Sequence, residues 1–358
     1  MKNLKFINTI KSQSPKLKPT GELGFGKYFT DHIFICDYNR KKGWFDPHVI
    51  PYGDFRIDPS ASVLHYGQAM FEGMKAFRHL NGDIALFRPE YNYERMKSGA
   101  DRLCMEMPSI EIFIEGVKEL VRADLDWIPS QRGSSLYLRP TLMGTEAFLG
   151  VRPSDEYRFF VIASPVSSYY KEGIGPVKIW VEENYVRAAP GGLGSTKAAA
   201  NYAGSLKAAH EAKQKGYSQV LWLDVNHEYV EEVGTMNVFF MIDGEAHTPL
   251  LDGTILAGSV RDSVIQLLKN SGISVVERKI KWAEIDAAFQ DGRLTEAFGT
   301  GTAAVISPIG ELTRGLKKLN LAETQEPFKV GRQVYDQMTA IQYGEAPDIY
   351  NWLMKVNL

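Results

Sequence analysis

The sequence is poor in cysteine, has no surplus of either charge and contains no long apolar run, and each shortage removes a class of protein. Only two cysteines occur among 358 residues, Cys36 and Cys104. They lie far apart and neither belongs to a CxxC pair, so a disulfide framework is not expected and a zinc site of several thiolates is impossible. The ordinary reading is two small apolar thiols inside the fold. Basic residues number 41 against 43 acidic ones, a formal net charge of -2. That balance offers neither the basic excess of a nucleic-acid binder nor an acidic tail. No apolar stretch approaches the ~20 residues that cross a bilayer. The first nineteen residues carry Lys2, Lys5, Lys11, Lys16 and Lys18 with no acid. Lacking arginine and a continuous apolar segment, they read as a lead-in and not as a targeting peptide. The expectation is a cytoplasmic protein with no metal, no membrane and no nucleic-acid partner.

What is present is length and hydrophobicity. The chain is 44% hydrophobic, and at this length one core tends to split, since single cores stop growing beyond ~250–300 residues. Two domains are therefore expected. In the first half, Ile33–Ile35, Ile84–Phe87, Ser135–Leu138 and Arg158–Ile162 read as strands. Ile110, Ile114, Val117 and Val121 recur at helical spacing and predict an amphipathic helix over Ile110–Ala123. The pattern breaks at Ser164-Pro165, and the glycine- and serine-rich run to Pro176 predicts a connector at about 164–176. That divides the chain into domains 1–175 and 176–358.

In the second half Val177–Val181, Gln219–Leu223, Val238–Ile242 and Ile273–Ile280 read as strands, with a hairpin turn at Asp243-Gly244. Helices are predicted over Asn201–Lys215, stopped by Gly216, from about Ser259, and around Tyr335, Met338 and Ile341. Strands and helices alternate without a regular βαβ rhythm, which predicts an α+β fold and not a doubly wound parallel sheet.

Four segments carry chemistry. In Pro190-Gly191-Gly192-Leu193-Gly194-Ser195-Thr196-Lys197 a lysine follows a glycine-rich turn and precedes three alanines. A phosphate-cradling P-loop would need Gly before the lysine and Ser or Thr after it, so that reading fails. A solvated loop lysine and a Schiff-base lysine, whose amine must be unprotonated to attack a carbonyl, both remain open at this point. In Glu231-Glu232-Val233-Gly234-Thr235-Met236-Asn237 an acid at a strand end could keep a pyridine nitrogen protonated; a surface glutamate is the plainer reading. Ile255-Leu256-Ala257-Gly258-Ser259-Val260-Arg261 opens a helix whose unpaired N–H groups suit a phosphate, unless Ser259 is merely an N-cap. Phe298-Gly299-Thr300-Gly301-Thr302-Ala303-Ala304 reads as a Gly/Thr loop after a short strand, a second source of N–H donors. It is no dinucleotide fingerprint, because position six is Ala304 and no βαβ unit follows. A lysine, an acid for a ring nitrogen and two anion loops in one half of the chain form a set that fits one cofactor.

At these residues the chain resembles the branched-chain aminotransferases, fold type IV of the pyridoxal-phosphate enzymes. The resemblance runs from about Phe25 to Gly344. It is carried by Phe25–His32, Leu64-His65-Tyr66, Phe71-Glu72-Gly73-Met74-Lys75-Ala76-Phe77, Tyr137-Leu138-Arg139-Pro140, Lys197 with Asn201-Tyr202, Val220–Leu223, Glu232–Asn237 and Phe298–Ala303. It implies a two-domain architecture, a smaller N-terminal α/β domain and a larger C-terminal domain with a mixed or barrel-like sheet. It implies pyridoxal 5′-phosphate as cofactor, carried by Lys197, which also moves the proton at the substrate's Cα. By the same resemblance Glu232 pairs with the ring nitrogen and Tyr202 with the phenolic oxygen. Arg95 binds phosphate with the amides of Ser259 and Val260 and with Thr302, while Thr235 and Leu256 lie near the cofactor.

The resemblance further implies an aromatic substrate pocket of Phe25, Tyr66, Phe71, Tyr137 and Tyr169, with Thr302 and Ala303 beside it. Such a pocket suits leucine, isoleucine and valine, since burying each apolar side chain contributes roughly 1.5–3 kcal/mol. Arg139 matches the residue that receives the distal carboxylate of glutamate. Leu149 and Val151 match residues that reach the substrate site of a neighbouring subunit, which implies a homodimer. Three positions depart from the pattern: Ala304 and Ser307 stand where some relatives carry a CxxC pair, and Ala257 stands where proline is frequent. The rival readings are another fold type IV enzyme, a D-amino-acid aminotransferase or aminodeoxychorismate lyase, and a non-catalytic cofactor-binding protein.

Overall fold

Runs of β-branched and aromatic residues fold as strands in two nine-stranded sheets. The computed structural model describes residues 7–167, 175–324 and 328–357. The chain divides into two compact units, one drawn from Met1–Tyr169, Thr196–Ala200 and Ile341–Leu358, the other from Tyr170–Ser195 and Asn201–Ala340.

The first unit holds β1 (Asn8–Thr9), β2 (His32–Asn39), β3 (Gly43–Pro51), β4 (Ala69–Phe71), β5 (Met74–Arg78), β6 (Ile84–Phe87), β7 (Ser135–Gly144) and β8 (Glu156–Val166). The last strand of the chain, β18 (Leu353–Val356), closes the order β1-β3-β2-β8-β7-β5-β6-β18, and β4 also pairs with β7. All pairs are antiparallel except β1 with β3. Three helices accompany it: α1 (Ser62–Tyr66), α2 (Pro89–Arg102) and α3 (Ile110–Ala123). The predicted helix is α3 to the residue; Ser109 caps it by accepting the Ile112 N–H. Its apolar stripe buries Phe113, Val117, Leu120 and Val121 in a core with Phe34, Leu138 and Phe159. Gly116 permits the close approach, because a Cβ there would meet the Phe34 ring at 2.5 Å.

Prolines lie inside several strands, Pro165 and Pro140 among them. Pro165 belongs to β8 and pairs with Leu136, so the connector expected from Ser164 starts only after Val166. The reason is position: the β2 ladder on β8 ends at Ile162, so at Pro165 the missing N–H breaks no bond of that ladder. Pro140 lies on β7 between the stretch paired with β5, which ends at Leu138, and the stretch paired with β4, which starts at Thr141.

The second unit holds β9 (Val177–Val181), β10 (Gln219–Leu223), β11 (Val230–Val233), β12 (Asn237–Ile242), β13 (Glu245–Pro249), β14 (Val275–Arg278), β15 (Leu294–Gly301), β16 (Val305–Arg314) and β17 (Lys317–Asn320). Their order is β11-β10-β9-β16-β15-β12-β13-β14, with β17 on β16. The sheet is mixed: β9 runs parallel to both β10 and β16, and β13 parallel to β14. Its helices are α4 (Ala199–Gln214), which starts in the first unit's segment, α5 (Ser259–Asn270), α6 (Trp282–Gln290) and α7 (Lys329–Gln342). Asp243 and Gly244 make the predicted hairpin, both with positive φ. The strand expected over Ile273–Ile280 shortens to β14, whose pairing to β13 spans only Val275–Arg278. Phe298–Gly301 lies in β15, paired with β12 and β16, so the expected loop shrinks to a turn of Thr302–Ala304. The fold is thus mixed α/β, with helices attached to two mixed sheets.

Candidate active site

In the first unit the backbone pins Lys197 beside a motif strand. The Phe71 N–H donates to the Lys197 carbonyl at 3.1 Å, and Ala198 bridges to Met70. Gly99 on α2 makes the fit: a Cβ there would meet Met70 Cε at 2.5 Å and Thr196 Cγ2 at 3.1 Å. Lys197 Nζ lies 5.3 Å from the centre of the Phe71 ring, and Arg139 Cζ lies 4.5 Å from the same centre. Arg139 Nη2 donates to Tyr137 Oη at 3.1 Å, while Arg139 Nε is buried without a partner among the described residues. Phe25 meets the Tyr137 ring edge-on at 4.9 Å. Gly73 is required beneath this group, because a Cβ would fall 2.1 Å from Tyr137 Oη. One face of β5 and β7 thus gathers a guanidinium among three aromatic rings, and Lys75, the register partner of Tyr137, is buried there too. Burial pushes the Lys75 amine down to about 8.

Arg95 is held by Glu72, a motif residue for which sequence reasoning found no role. Glu72 is wholly buried. Its Oε1 accepts Arg95 Nε at 2.6 Å and its Oε2 accepts Arg95 Nη2 at 2.7 Å. Asn92 Nδ2 at 2.7 Å and the Gly73 N–H at 3.0 Å complete the set on Oε2. Burial works to raise the Glu72 carboxyl, but Arg95, Lys197 and Asn92 outweigh it and hold it below the usual carboxylate range. Tyr66 donates to the Leu149 carbonyl of its own chain. Leu149 and Val151 stay 60% and 84% exposed. Tyr169 lies outside the described residues.

In the second unit Glu232 is buried, 3% exposed. Its Oε1 accepts the Leu256 N–H at 2.7 Å and pairs with Arg187 Nη2 at 2.9 Å. The same Nη2 donates to the Gly194 carbonyl at 2.8 Å, tying the glycine-rich turn to this acid. Register explains the geometry. Leu221 pairs with Val233 and Leu223 with Val230, so Trp222 opposes both Glu231 and Glu232 in a bulge. Burial pushes the Glu231 carboxyl up to about 7, against a hydrogen bond from Thr254 and the charge of Arg187. Val233–Met236 is a tight turn closed by two backbone bonds, with Gly234 at φ 57, as a hairpin with glycine at its first central position requires. Thr235, next in that turn, is exposed.

The start of α5 is an anion site in form. Its N-cap is Gly258 and not Ser259, with no side-chain cap, and Ser259 and Val260 are buried in its first turn. Backbone N–H groups at such an end attract phosphate. A Cβ on Gly258 would lie 2.1 Å from Asn237 Oδ1, and Asn237 Nδ2 donates to the Leu256 carbonyl at 2.9 Å. Thr302 and Ala303 occupy the β15–β16 turn, and Tyr202 lies half-buried on α4. Each unit taken by itself offers groups suited to a phosphorylated pyridine aldehyde: the first a lysine against an aromatic ring, the second a buried carboxylate and an uncapped helix end. Among the described residues no cluster could hold a metal ion, and no helix is long and apolar enough to cross a membrane.

Comparison with known proteins agrees with that chemistry. The amino-transferase class IV family model matches residues 69–312, and the chain belongs to that family, whose cofactor is pyridoxal 5′-phosphate. Within it the chain falls among the branched-chain-amino-acid aminotransferases. Branched-chain-amino-acid aminotransferase 2 of Bacillus subtilis is 50% identical over 351 residues, 98% of this chain and 96% of that protein. Branched-chain-amino-acid transaminase 1 of the same organism is 46% identical over 355 residues, 98% of this chain and 99% of its own. Among solved structures, the branched-chain amino acid aminotransferase of Escherichia coli aligns at a TM-score of 0.76 and 26% identity, covering 91% of this chain and 99% of that one. A second branched-chain amino acid aminotransferase, that of T.th. with pyridoxamine 5′-phosphate, aligns at 0.73 and 26%, covering 90% and 98%. The fold is fold type IV.

Proposed function

We propose that this protein is a transaminase that moves the amino group between branched-chain L-amino acids (leucine, isoleucine and valine) and 2-oxoglutarate, giving branched-chain 2-oxo acids and glutamate. The observation that carries this reading is the Phe71 ring, which has Lys197 Nζ at 5.3 Å and Arg139 Cζ at 4.5 Å. An amine suited to a carbonyl and a cation suited to a carboxylate share one apolar wall. When bound, pyridoxal 5′-phosphate supplies the carbonyl and a ring that spreads the charge left at Cα.

The protein's own residues do the rest. Lys197 carries the cofactor and, as a free amine, takes the proton from Cα and returns it. Glu232 holds the proton on the ring nitrogen, and Tyr202 donates to the phenolic oxygen. Arg95, the amides of Ser259 and Val260, and Thr302 hold the phosphate, with Leu256 and Thr235 alongside. Phe25, Tyr66, Phe71, Tyr137, Tyr169 and Ala303 enclose an apolar side chain and exclude water from it. Arg139 binds the distal carboxylate of glutamate in the same space. Its unpartnered Nε, buried among aromatic rings, supports that role, since a buried donor without an acceptor calls for one.

The reading extends to the whole chain. The division near residue 175 separates a smaller N-terminal domain from a cofactor domain, and the enzyme works in the cytoplasm. Phe148, Leu149 and Val151 are exposed apolar side chains on one loop, which supports contact with the neighbouring subunit of a homodimer. The test is the purified protein with L-leucine and 2-oxoglutarate: 2-oxoisocaproate and glutamate should form together. No 2-oxoisocaproate would sink the assignment and favour a rival such as a lyase, which eliminates and does not transfer. Lys197→Ala should lose both turnover and the cofactor absorbance band that borohydride removes from the unaltered protein.

A further inference from the structure

We propose that Glu72 is a positioning residue for phosphate recognition, fixing the Arg95 guanidinium in the orientation that meets the cofactor's phosphate. This rests on the reading of Arg95 as a phosphate ligand. Glu72 lies between β4 and β5, and Arg95 lies on α2, one helical turn after Asn92. The carboxylate takes the Nε and Nη2 edge of the guanidinium at 2.6 and 2.7 Å. Such a two-point pair fixes both the plane and the rotation of the group. The remaining N–H groups then lie on the edge away from Glu72, in a fixed direction. Asn92 Nδ2 and the Gly73 N–H lock the carboxylate in turn, at 2.7 and 3.0 Å.

Every contact on Glu72 comes from a donor, so the position demands an acceptor at both oxygens. Glutamine cannot meet that demand: its NH2 group would face either Arg95 Nε or three donors at Oε2. A negative charge near a phosphate-binding arginine lowers phosphate affinity by simple repulsion. The carboxylate is therefore useful there only for what it does to the arginine. A rigid guanidinium loses less freedom on binding than a loose one, which favours affinity through preorganisation.

The experiment measures equilibrium binding to the cofactor-stripped full chain by quenching of its intrinsic fluorescence. The ligands are pyridoxal 5′-phosphate and pyridoxal, which lacks the phosphate. Arg95→Gln should weaken the first by about 10–100-fold, the range of one charged contact, and leave the second within threefold. Glu72→Gln should show the same selectivity, and the double variant should bind no more weakly than Arg95→Gln, because one residue acts through the other. Asn92→Ala, which removes one lock and no charge, should give a smaller loss of the same selectivity and serves if Glu72→Gln fails to fold. Equal weakening of both ligands in Glu72→Gln, or in Asn92→Ala, would mean a general structural role and overturn the inference. Unchanged phosphate affinity in both would overturn it too. If Arg95→Gln itself shows no selective loss, the phosphate reading of Arg95 falls, and that result is separable from a failure at Glu72 alone.

Discussion

Each unit contains a buried ion pair, and the two are inverted. In the first, a carboxylate stands behind a guanidinium: Glu72 holds Arg95. In the second, a guanidinium stands behind a carboxylate: Arg187 holds Glu232. The inner partner differs in how it is anchored. Glu72 is saturated by donors from Asn92, Arg95 and Gly73. Arg187 spreads over Glu232 and the carbonyls of Gly194 and Thr254, and its Nε is buried with no partner among the described residues. The first arrangement therefore fixes direction, while the second places a charge. A phosphate needs an aimed fork, whereas a ring nitrogen needs a carboxylate that stays charged.

The sharpest way to break the second pair is at its outer member. On the proposed role of Glu232, Glu232→Gln keeps shape but no longer favours a proton on the ring nitrogen. We expect turnover of leucine to fall by about 100–1,000-fold, the scale seen when one electrostatic contact to developing charge is removed. The cofactor absorbance and 2-oxo acid release are the readouts. A loss below tenfold would show that ring protonation does not depend on this acid.

Removing the inner member should cost less and change the pH response. In Arg187→Gln the bulge leaves Glu231 and Glu232 close together, with burial and mutual repulsion opposing double ionisation. The variant should lose about 10–100-fold in turnover at pH 7. It should regain activity as pH rises from 6 to 9, since higher pH ionises the pair. The unaltered protein should not show that rise. A variant profile parallel to the original would separate Arg187 from the protonation of this acid.

In the first unit the matching test concerns substrate choice. Arg139 sits among rings, and its removal takes away a cation without opening the aromatic wall. Arg139→Gln should raise the KM for 2-oxoglutarate by about 10–100-fold and that for 2-oxoisocaproate by less than threefold. Equal rises for both would place Arg139 in pocket shape and not in carboxylate recognition.

Much of this was legible because its cause is local. Helical spacing gave α3 its ends, Asp243-Gly244 announced a hairpin, and the motif strings singled out Lys197, Glu232, Arg95 and Arg139, the residues of the proposed site. The pairs behind them were not legible. Glu72 was visible as a motif letter, but its bond to Arg95 depends on how β4 and α2 pack. Arg187 precedes the lysine with no pattern of its own, and reaches Glu232 only after β11 has joined the sheet. Strands crossed Pro140 and Pro165 because the partner strands end beside them, which a single strand's sequence does not show. The uncapped start of α5 at Gly258 likewise follows from Asn237 filling the space where a Cβ would be.

The bulge on β11 leads to the smallest and most specific expectation. Glu231 has one oxygen, Oε2, buried without a partner among the described residues, and burial pushes its carboxyl from 4.5 up to about 7. Between those values the folded protein keeps a proton that the unfolded chain has released, so this group makes stability fall as pH rises through that window. Below the window both states are protonated and above it both are ionised, so the loss is complete by about pH 8. Glu231→Gln abolishes the titration. Its melting temperature should exceed that of the unaltered holoenzyme by about 2–4 °C at pH 8, with the gap closing as pH falls toward 5. Melting curves at half-unit steps decide the matter. A gap that is constant with pH, or one that widens in acid, would mean that Glu231 is ionised in the fold and that Arg187 serves both acids alike. Closure of the gap would mean that Arg187 directs its charge to Glu232, leaving the neighbouring glutamate as a neutral spacer in the bulge.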